Sequence, residues 1–227
     1  MLEDRYRRLA LLLEEIRAEA QATANYTGRA AFSERVMQAL ADVPRDEFVA
    51  PKLGHSAWAN RPLPIGLGQT ISQPYIVALM TDLIDPEPGD VVLEVGTGSG
   101  YQAAILARLV KQVYSVECLP ELAADARTRL ARLGCDNVEV RCGDGRLGWP
   151  EHAPYDAILV AAAPEAVPHA LVRQLKPGGT MVIPVGPRHG AQDLLRIQVD
   201  ADGHVARHSV LPVAFVPLVG DEAAGGV

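Results

Sequence analysis

The apolar positions change their period along the chain. Leu2, Tyr6, Leu9, Leu13, Ile16 and Ala20 recur at the spacing of one helical face and predict an amphipathic N-terminal helix. Asn25-Tyr26-Thr27-Gly28 breaks that pattern. A second helix is predicted over Ser33 to Ala41, with Ser33 as its N-cap. Arg45 to Asn60 has no regular period. The helical period returns over Tyr75 to Ile84, with Ile76, Leu79, Met80 and Leu83 on one face and Pro74 in the first turn.

Beyond the Pro86–Asp90 turn, short branched apolar runs alternate with helical stretches. Strands are predicted at Val91 to Val95, Val113 to Val116, Val138 to Val140, Tyr155 to Val160 and Thr180 to Val185. Helices are predicted at Tyr101 to Leu109, Leu119 to Leu133 (ended by Gly134) and Val167 to Leu175. Lys176-Pro177-Gly178-Gly179 turns the chain into the fifth of these strands. Leu194 to Val199 and a segment within Val205 to Phe215 follow, with Asp202-Gly203 as a hairpin signal. This alternation predicts an α/β fold with a doubly wound, mostly parallel sheet and an antiparallel C-terminal edge. One domain is expected: a helical cap over 1–60, a loop over 61–74, an α/β core over 75–219 and a tail over 220–227.

Composition narrows the class. The length of 227 residues and the apolar fraction of 48% suit one domain with a large core. A net charge of −7 disfavours a nucleic-acid partner. Cys118, Cys135 and Cys142 form no C-x-x-C pair, which points to reduced thiols and a cytoplasmic setting. No apolar run approaches spanning length, so no membrane partner is expected, and Glu14-Glu15 after Leu9 to Leu13 does not suit a signal peptide. No metal site is expected. His204 and His208 fall in a predicted strand, and His55, His152, His169 and His189 are isolated.

Chemistry concentrates after the first core strand, at Glu94-Val95-Gly96-Thr97-Gly98-Ser99-Gly100. Strand, glycine turn and helix in this order open a nucleotide-binding unit. The helix N-terminus would point unpaired N–H groups at a ligand. The spacing is G-x-G-x-G, and Tyr101 stands where a dinucleotide fingerprint has its third small residue. Glu94 before the turn would repel a pyrophosphate and attract an ammonium or a sulfonium. The pattern resembles motif I of the class I S-adenosylmethionine-dependent methyltransferases, against the plain alternative of a glycine turn with no ligand. Glu117, 21 positions past Gly96, stands where a carboxylate reaches ribose hydroxyls, or else caps the next helix. Asp144 within Gly143-Asp144-Gly145 would accept from an adenine amino group, or else is an ordinary turn aspartate. Ser72 is either a helix N-cap or a site residue on a structured Pro/Gly loop. After the fourth core strand, Ala161-Ala162-Ala163-Pro164 replaces the Asn/Asp-Pro-Pro-aromatic motif that grips a flipped base, which again argues against nucleic acid.

A more specific resemblance rests on Leu63 to Pro74 with its Thr70-Ile71-Ser72 core, on Val43-Pro44-Arg45 with Phe48-Val49, and on Glu94 to Gly100. Gly143 to Gly145, Ala153 to Ile158, Leu175 to Gly179, Pro184 to Gly186 and Phe215 to Leu218 add to it. Together these are similar to the protein-L-isoaspartate O-methyltransferases over residues 36–218, with Ala161 departing from the expected Thr or Gly. The resemblance implies a Rossmann-like methyltransferase fold and S-adenosyl-L-methionine as donor, with S-adenosyl-L-homocysteine as product. It implies methylation of the isoaspartyl α-carboxylate of damaged proteins and peptides, opening their repair through a succinimide. It makes Ser72 the active-site serine. It puts Thr70, Ile71, Glu94, Gly96, Thr97, Gly98, Gly100, Glu117, Cys118, Asp144 and Gly145 at the cofactor. Thr70, Val216, Pro217 and Leu218 would meet the substrate, the last three offering backbone groups to an extended peptide. A small-molecule or peptide-tailoring O-methyltransferase and a non-catalytic cofactor-binding interaction domain are the competing readings.

Overall fold

The structure is a computed structural model that describes residues 2–188 and 190–220. His189, residues 221–227 of the tail and the side chain of Leu2 lie outside the described residues. Helix α1 (Leu2–Thr27) runs through most of the expected break and stops at Gly28, whose φ of 67° ends it. Its buried stripe is Leu12, Ile16 and Ala20, while Tyr6 is exposed rather than on that face. Helix α2 (Glu34–Asp42) starts as expected, with Ser33 Oγ accepting the Val36 N–H at 3.3 Å. Arg45–Phe48 and Pro51–Trp58 form two 3-10 turns.

The Pro/Gly stretch is not a loop. It folds into an antiparallel hairpin of β1 (Leu63–Gly66) and β2 (Gln69–Ile71), separate from the main sheet. Helix α3 (Pro74–Leu83) follows, with Pro74 in its first turn.

The core then alternates: β3 (Val91–Val95), α4 (Tyr101–Ala107), β4 (Gln112–Glu117), α5 (Pro120–Arg132), β5 (Val138–Cys142), β6 (Tyr155–Val160), α6 (His169–Val172) and β7 (Leu175–Val185). A closing hairpin, β8 (Gln192–Val199) and β9 (Val205–Val213), pairs antiparallel onto β7. The seven-stranded order is β5-β4-β3-β6-β7-β8-β9, with β5, β4, β3, β6 and β7 parallel. This is the doubly wound, mostly parallel sheet with an antiparallel edge that the alternation predicts. Two expectations about α6 and β7 fail together. Helix α6 is a single turn, and Leu175 already pairs with Tyr155, so Lys176-Pro177-Gly178-Gly179 is a bulged start of β7.

Chain order reverses on either side of β3, between β4 and β6. A ligand crevice opens where such a sheet reverses, beyond the C-terminal strand ends. Two hydrogen bonds fix that edge: Gly96 N–H to the Val116 carbonyl and Ala161 N–H to the Val95 carbonyl, both at 2.8 Å.

Candidate active site

The turn after β3 needs its glycines, because Gly96 and Gly100 have φ of 93° and 88°, which an L side chain rarely adopts. Gly145 is required for another reason: a Cβ there would stand 2.4 Å from Val95 Cγ1. With these residues small, a narrow cavity forms at the ends of β3, β4 and β6. Thr70, Gly96, Gly98, Glu117, Cys118 and Gly145 line it, with Ala161 and residues 216–218 opposite. A smaller cavity, lined by Ile71, Ser72, Thr97 and Tyr101, adjoins it through Thr70, Gly96 and Ala161. An open cleft of about 540 Å³, walled by Ser72, Glu19, Tyr75, Phe215 and Val216, shares Thr70 and Ala161 with both. Thr70 on the hairpin therefore borders both the narrow cavity and the open cleft.

Glu117 is 5% exposed, and its carboxylate has two tasks besides facing the cavity. Oε2 accepts the Gly98 N–H at 2.7 Å and Oε1 accepts the Leu119 N–H at 3.1 Å. The helix-start role and the site role thus coexist. Cys118 beside it has its thiol pushed up to about 11, mainly by burial and then by the Glu117 charge.

Ile71 and Thr97 line the smaller cavity, and three expected cofactor residues, Glu94, Gly100 and Asp144, line neither. Glu94 is wholly buried beneath the turn, where Ser115 Oγ donates to it at 2.5 Å and Thr97 Oγ1 shares a 2.6 Å bond with Ser115 Oγ. Burial foremost pushes its carboxyl up to about 8, and the Ala103 N–H from the first turn of α4 faces it. Oε1 finds no hydrogen-bond partner among the described residues, and through Oε2, Ser115 and Thr97 the carboxyl props the turn. A strand position one before the turn points to the opposite side from its neighbour, which is why Val95 rather than Glu94 reaches the cavity. Asp144 is held by Arg146 through a 2.6 Å ion pair and caps the 3-10 turn Gly145–Leu147. Burial opposes its charge, but the Arg146 bonds outweigh it and hold the carboxyl below its usual range. Gly100 packs its Cα side toward Leu130 of α5.

Ser72 is not an N-cap. Gln73 occupies that position without a side-chain bond, and the Tyr75 N–H is taken by Asn60 Oδ1 at 2.9 Å. Val216 to Leu218 form the far wall, but not wholly as expected. The Val216 carbonyl accepts the Ala163 N–H and the Leu218 N–H reaches the Ala163 carbonyl, both at 2.8 Å, so two backbone groups meant for a peptide are already used. Pro217 has no N–H to give.

Ala161 and Ala162, at the end of the fourth core strand, form a small wall of the cavity. Two other site residues escape the sequence. Gln192 is 3% exposed and clamps Phe215 with bonds of 3.1 and 2.7 Å to its carbonyl and N–H. Glu19 joins α1 to the cleft, accepting from Asn60 Nδ2 at 2.7 Å and from Gln73 Nε2 at 3.0 Å. Only the buried-polar pattern of the fold exposes these roles. No local motif surrounds them.

The cavity suits a cation better than a pyrophosphate. Among the described residues no Lys or Arg lines it, and its charged group is the Glu117 carboxylate. A carboxylate there fits a pair of ribose hydroxyls and a nearby sulfonium.

The protein-L-isoaspartate(D-aspartate) O-methyltransferase family model matches residues 21–223. A Polaromonas protein-L-isoaspartate O-methyltransferase 2 is 57% identical over 209 residues, covering 92% of this chain and 99% of its own. A Cupriavidus necator protein-L-isoaspartate O-methyltransferase 1 is 56% identical, covering 92% and 81%. A solved protein-L-isoaspartate O-methyltransferase superposes with a TM-score of 0.78 at 28% identity, covering 92% of this chain and 66% of that one. A Plasmodium falciparum β-aspartate methyltransferase, solved with S-adenosyl-L-homocysteine, shares the fold with a TM-score of 0.76 at 24% identity over 92% and 96%. The chain belongs to the protein-L-isoaspartate(D-aspartate) O-methyltransferase family.

Proposed function

We propose that this chain methylates the free α-carboxylate of L-isoaspartyl residues in damaged proteins and peptides, which start their repair as the ester closes to a succinimide. The observation that carries this reading is the hairpin: Thr70 borders both the narrow cavity and the open cleft, and Ser72 lines that cleft and the small cavity beside the first. S-adenosyl-L-methionine supplies an activated methyl group when bound, and the residues that fit it are Gly96, Gly98, Glu117, Cys118 and Gly145.

The chain's own task is alignment. An isoaspartyl carboxylate is ionised at neutral pH and needs no base. The titratable groups lining the cleft suit that. Glu19 is engaged by Asn60 and Gln73, and the Tyr75 hydroxyl shares a 2.6 Å bond with Thr23 while burial pushes its pKa up. Ser72 holds the carboxylate by a hydrogen bond so that one oxygen lies in line with the methyl carbon. The donor would supply the methyl group and leave as S-adenosyl-L-homocysteine, so no residue of the cleft has to move a proton. The far wall holds peptide backbone through groups that Ala163 leaves open, such as the Val216 N–H. Backbone contacts of this kind admit many sequences. Free Cys118, Cys135 and Cys142 support a reducing, cytoplasmic setting. No helix among the described residues is long and apolar enough to cross a membrane.

Methyl transfer to matched isoaspartyl and aspartyl peptides tests the reading. Labelling confined to the first supports it.

A further inference from the structure

We propose that Arg45 is a positioning residue for methyl transfer: it pins the base of the β1–β2 hairpin and thereby sets where Ser72 stands. The inference rests on the reading of Ser72 given above.

Arg45 is 1% exposed and lies in the Val43-Pro44-Arg45 segment, to which the family resemblance attaches no task. Among the described residues its guanidinium binds backbone carbonyls alone. Nη1 donates to Ala57 at 2.6 Å and to Ala59 at 3.4 Å. Nη2 donates to Arg61 at 3.0 Å and to Ser72 at 2.9 Å. Arg61 and Ser72 bracket the hairpin, so one nitrogen joins its two ends. No carboxylate among the described residues pairs with Arg45, and its Nε finds no acceptor. The guanidinium lies 5.8 Å from the Tyr101 ring, which borders the small cavity. Burial lowers its pKa to about 10, so it stays charged at neutral pH.

A buried charge without a counter-ion is costly, and an apolar side chain of similar size would avoid the cost. What only the guanidinium supplies is a planar fork of donors that can take carbonyls from two segments at once. The hairpin needs such an anchor. An isolated two-stranded ribbon is marginal in water, and Pro64 removes a donor from this one. Its register is also irregular between Pro64 and Gly66. An in-line reaction is sensitive to such slack, since about 1 Å of misplacement can cost a hundredfold.

The test compares Arg45→Met, Arg45→Lys and Arg45→Ala with the wild type. Each is measured for melting temperature, S-adenosyl-L-homocysteine affinity and kcat on an isoaspartyl peptide. Wild-type labelling of that peptide tests the functional reading by itself, so failure of the two ideas is separable. Arg45→Met should stay folded, bind the product within about fivefold, and lose kcat about ten- to a hundredfold. Arg45→Lys should recover part of that loss. Millimolar guanidinium should restore kcat to Arg45→Ala, and equal methylammonium should not. Wild-type kcat in folded Arg45→Met would overturn the proposal, as would a loss matched by the unfolded fraction. Failure of both the Met and Lys variants to fold would also overturn it, by making Arg45 a requirement of the whole domain.

Discussion

Glu117 Oε2 and the Gly98 N–H meet at 2.7 Å, so the end of β4 holds the turn that follows β3. The carboxylate that faces the ligand also shapes the backbone the ligand must approach. Glu117→Ala removes both effects. Hydrogen bonds to a charged acceptor are worth roughly 1.5–3 kcal/mol, or about ten- to a hundredfold in affinity. Calorimetric titration with S-adenosyl-L-homocysteine should show that loss, and an unchanged Kd would take Glu117 out of the site.

Ser72 makes no cap, so its loss should leave stability alone. Ser72→Ala should melt within a degree or two of the wild type, while kcat falls about tenfold or more, as for one lost positioning bond of roughly 1.4 kcal/mol. Full turnover with a lowered Tm would return Ser72 to a structural role.

Glu94 gives a stability signature. Burial first, and the Glu117 charge with it, raise its pKa from 4.5 to about 8, against the opposing Ser115 bond. The folded chain therefore holds this proton more tightly than the unfolded chain. Its contribution is complete below about pH 4.5 and is lost as the pH rises through about 8. Glu94→Gln cannot lose it. Between pH 5.5 and 8.5 the wild type should lose roughly 2–4 kcal/mol more than Glu94→Gln in urea unfolding. Parallel pH profiles would contradict the buried carboxyl.

The cysteines should separate by reactivity. Cys142 is exposed, Cys135 is buried, and Cys118 has its thiol held up to about 11. At pH 8 about one Cys118 in a thousand is thiolate. Iodoacetamide followed by peptide mapping should find Cys142 labelled first and Cys118 spared. Equal labelling of the two would contradict the Cys118 environment.

Periodicity carried the sheet because β3, β4 and β6 are short branched runs, and a central parallel strand buries both faces. The glycine turn and Glu117 were legible for the same reason: their places follow from strand ends. Glu94 was misplaced because motif spacing says nothing about which face a residue takes. The hairpin hid in Leu63 to Ile71, where two glycines and a proline mask a strand period. Asp144 looked free because its partner, Arg146, is recruited by a turn only the fold defines. Arg45 and Gln192 were invisible, since a lone polar residue in an irregular or edge segment gives no sign that it will be buried against backbone.

The central claim is that alignment alone selects the carboxylate. Isoaspartyl and aspartyl versions of a peptide carry the same charge, but the free carboxylate is the α-carboxylate in the first and the side-chain β-carboxylate in the second. Radiolabelled methyl transfer to that matched pair, at one pH near 7, tests the claim directly. The isoaspartyl peptide should be labelled at least about a hundredfold faster, the scale of a misplacement near 1 Å. Equal labelling of the two peptides would contradict it.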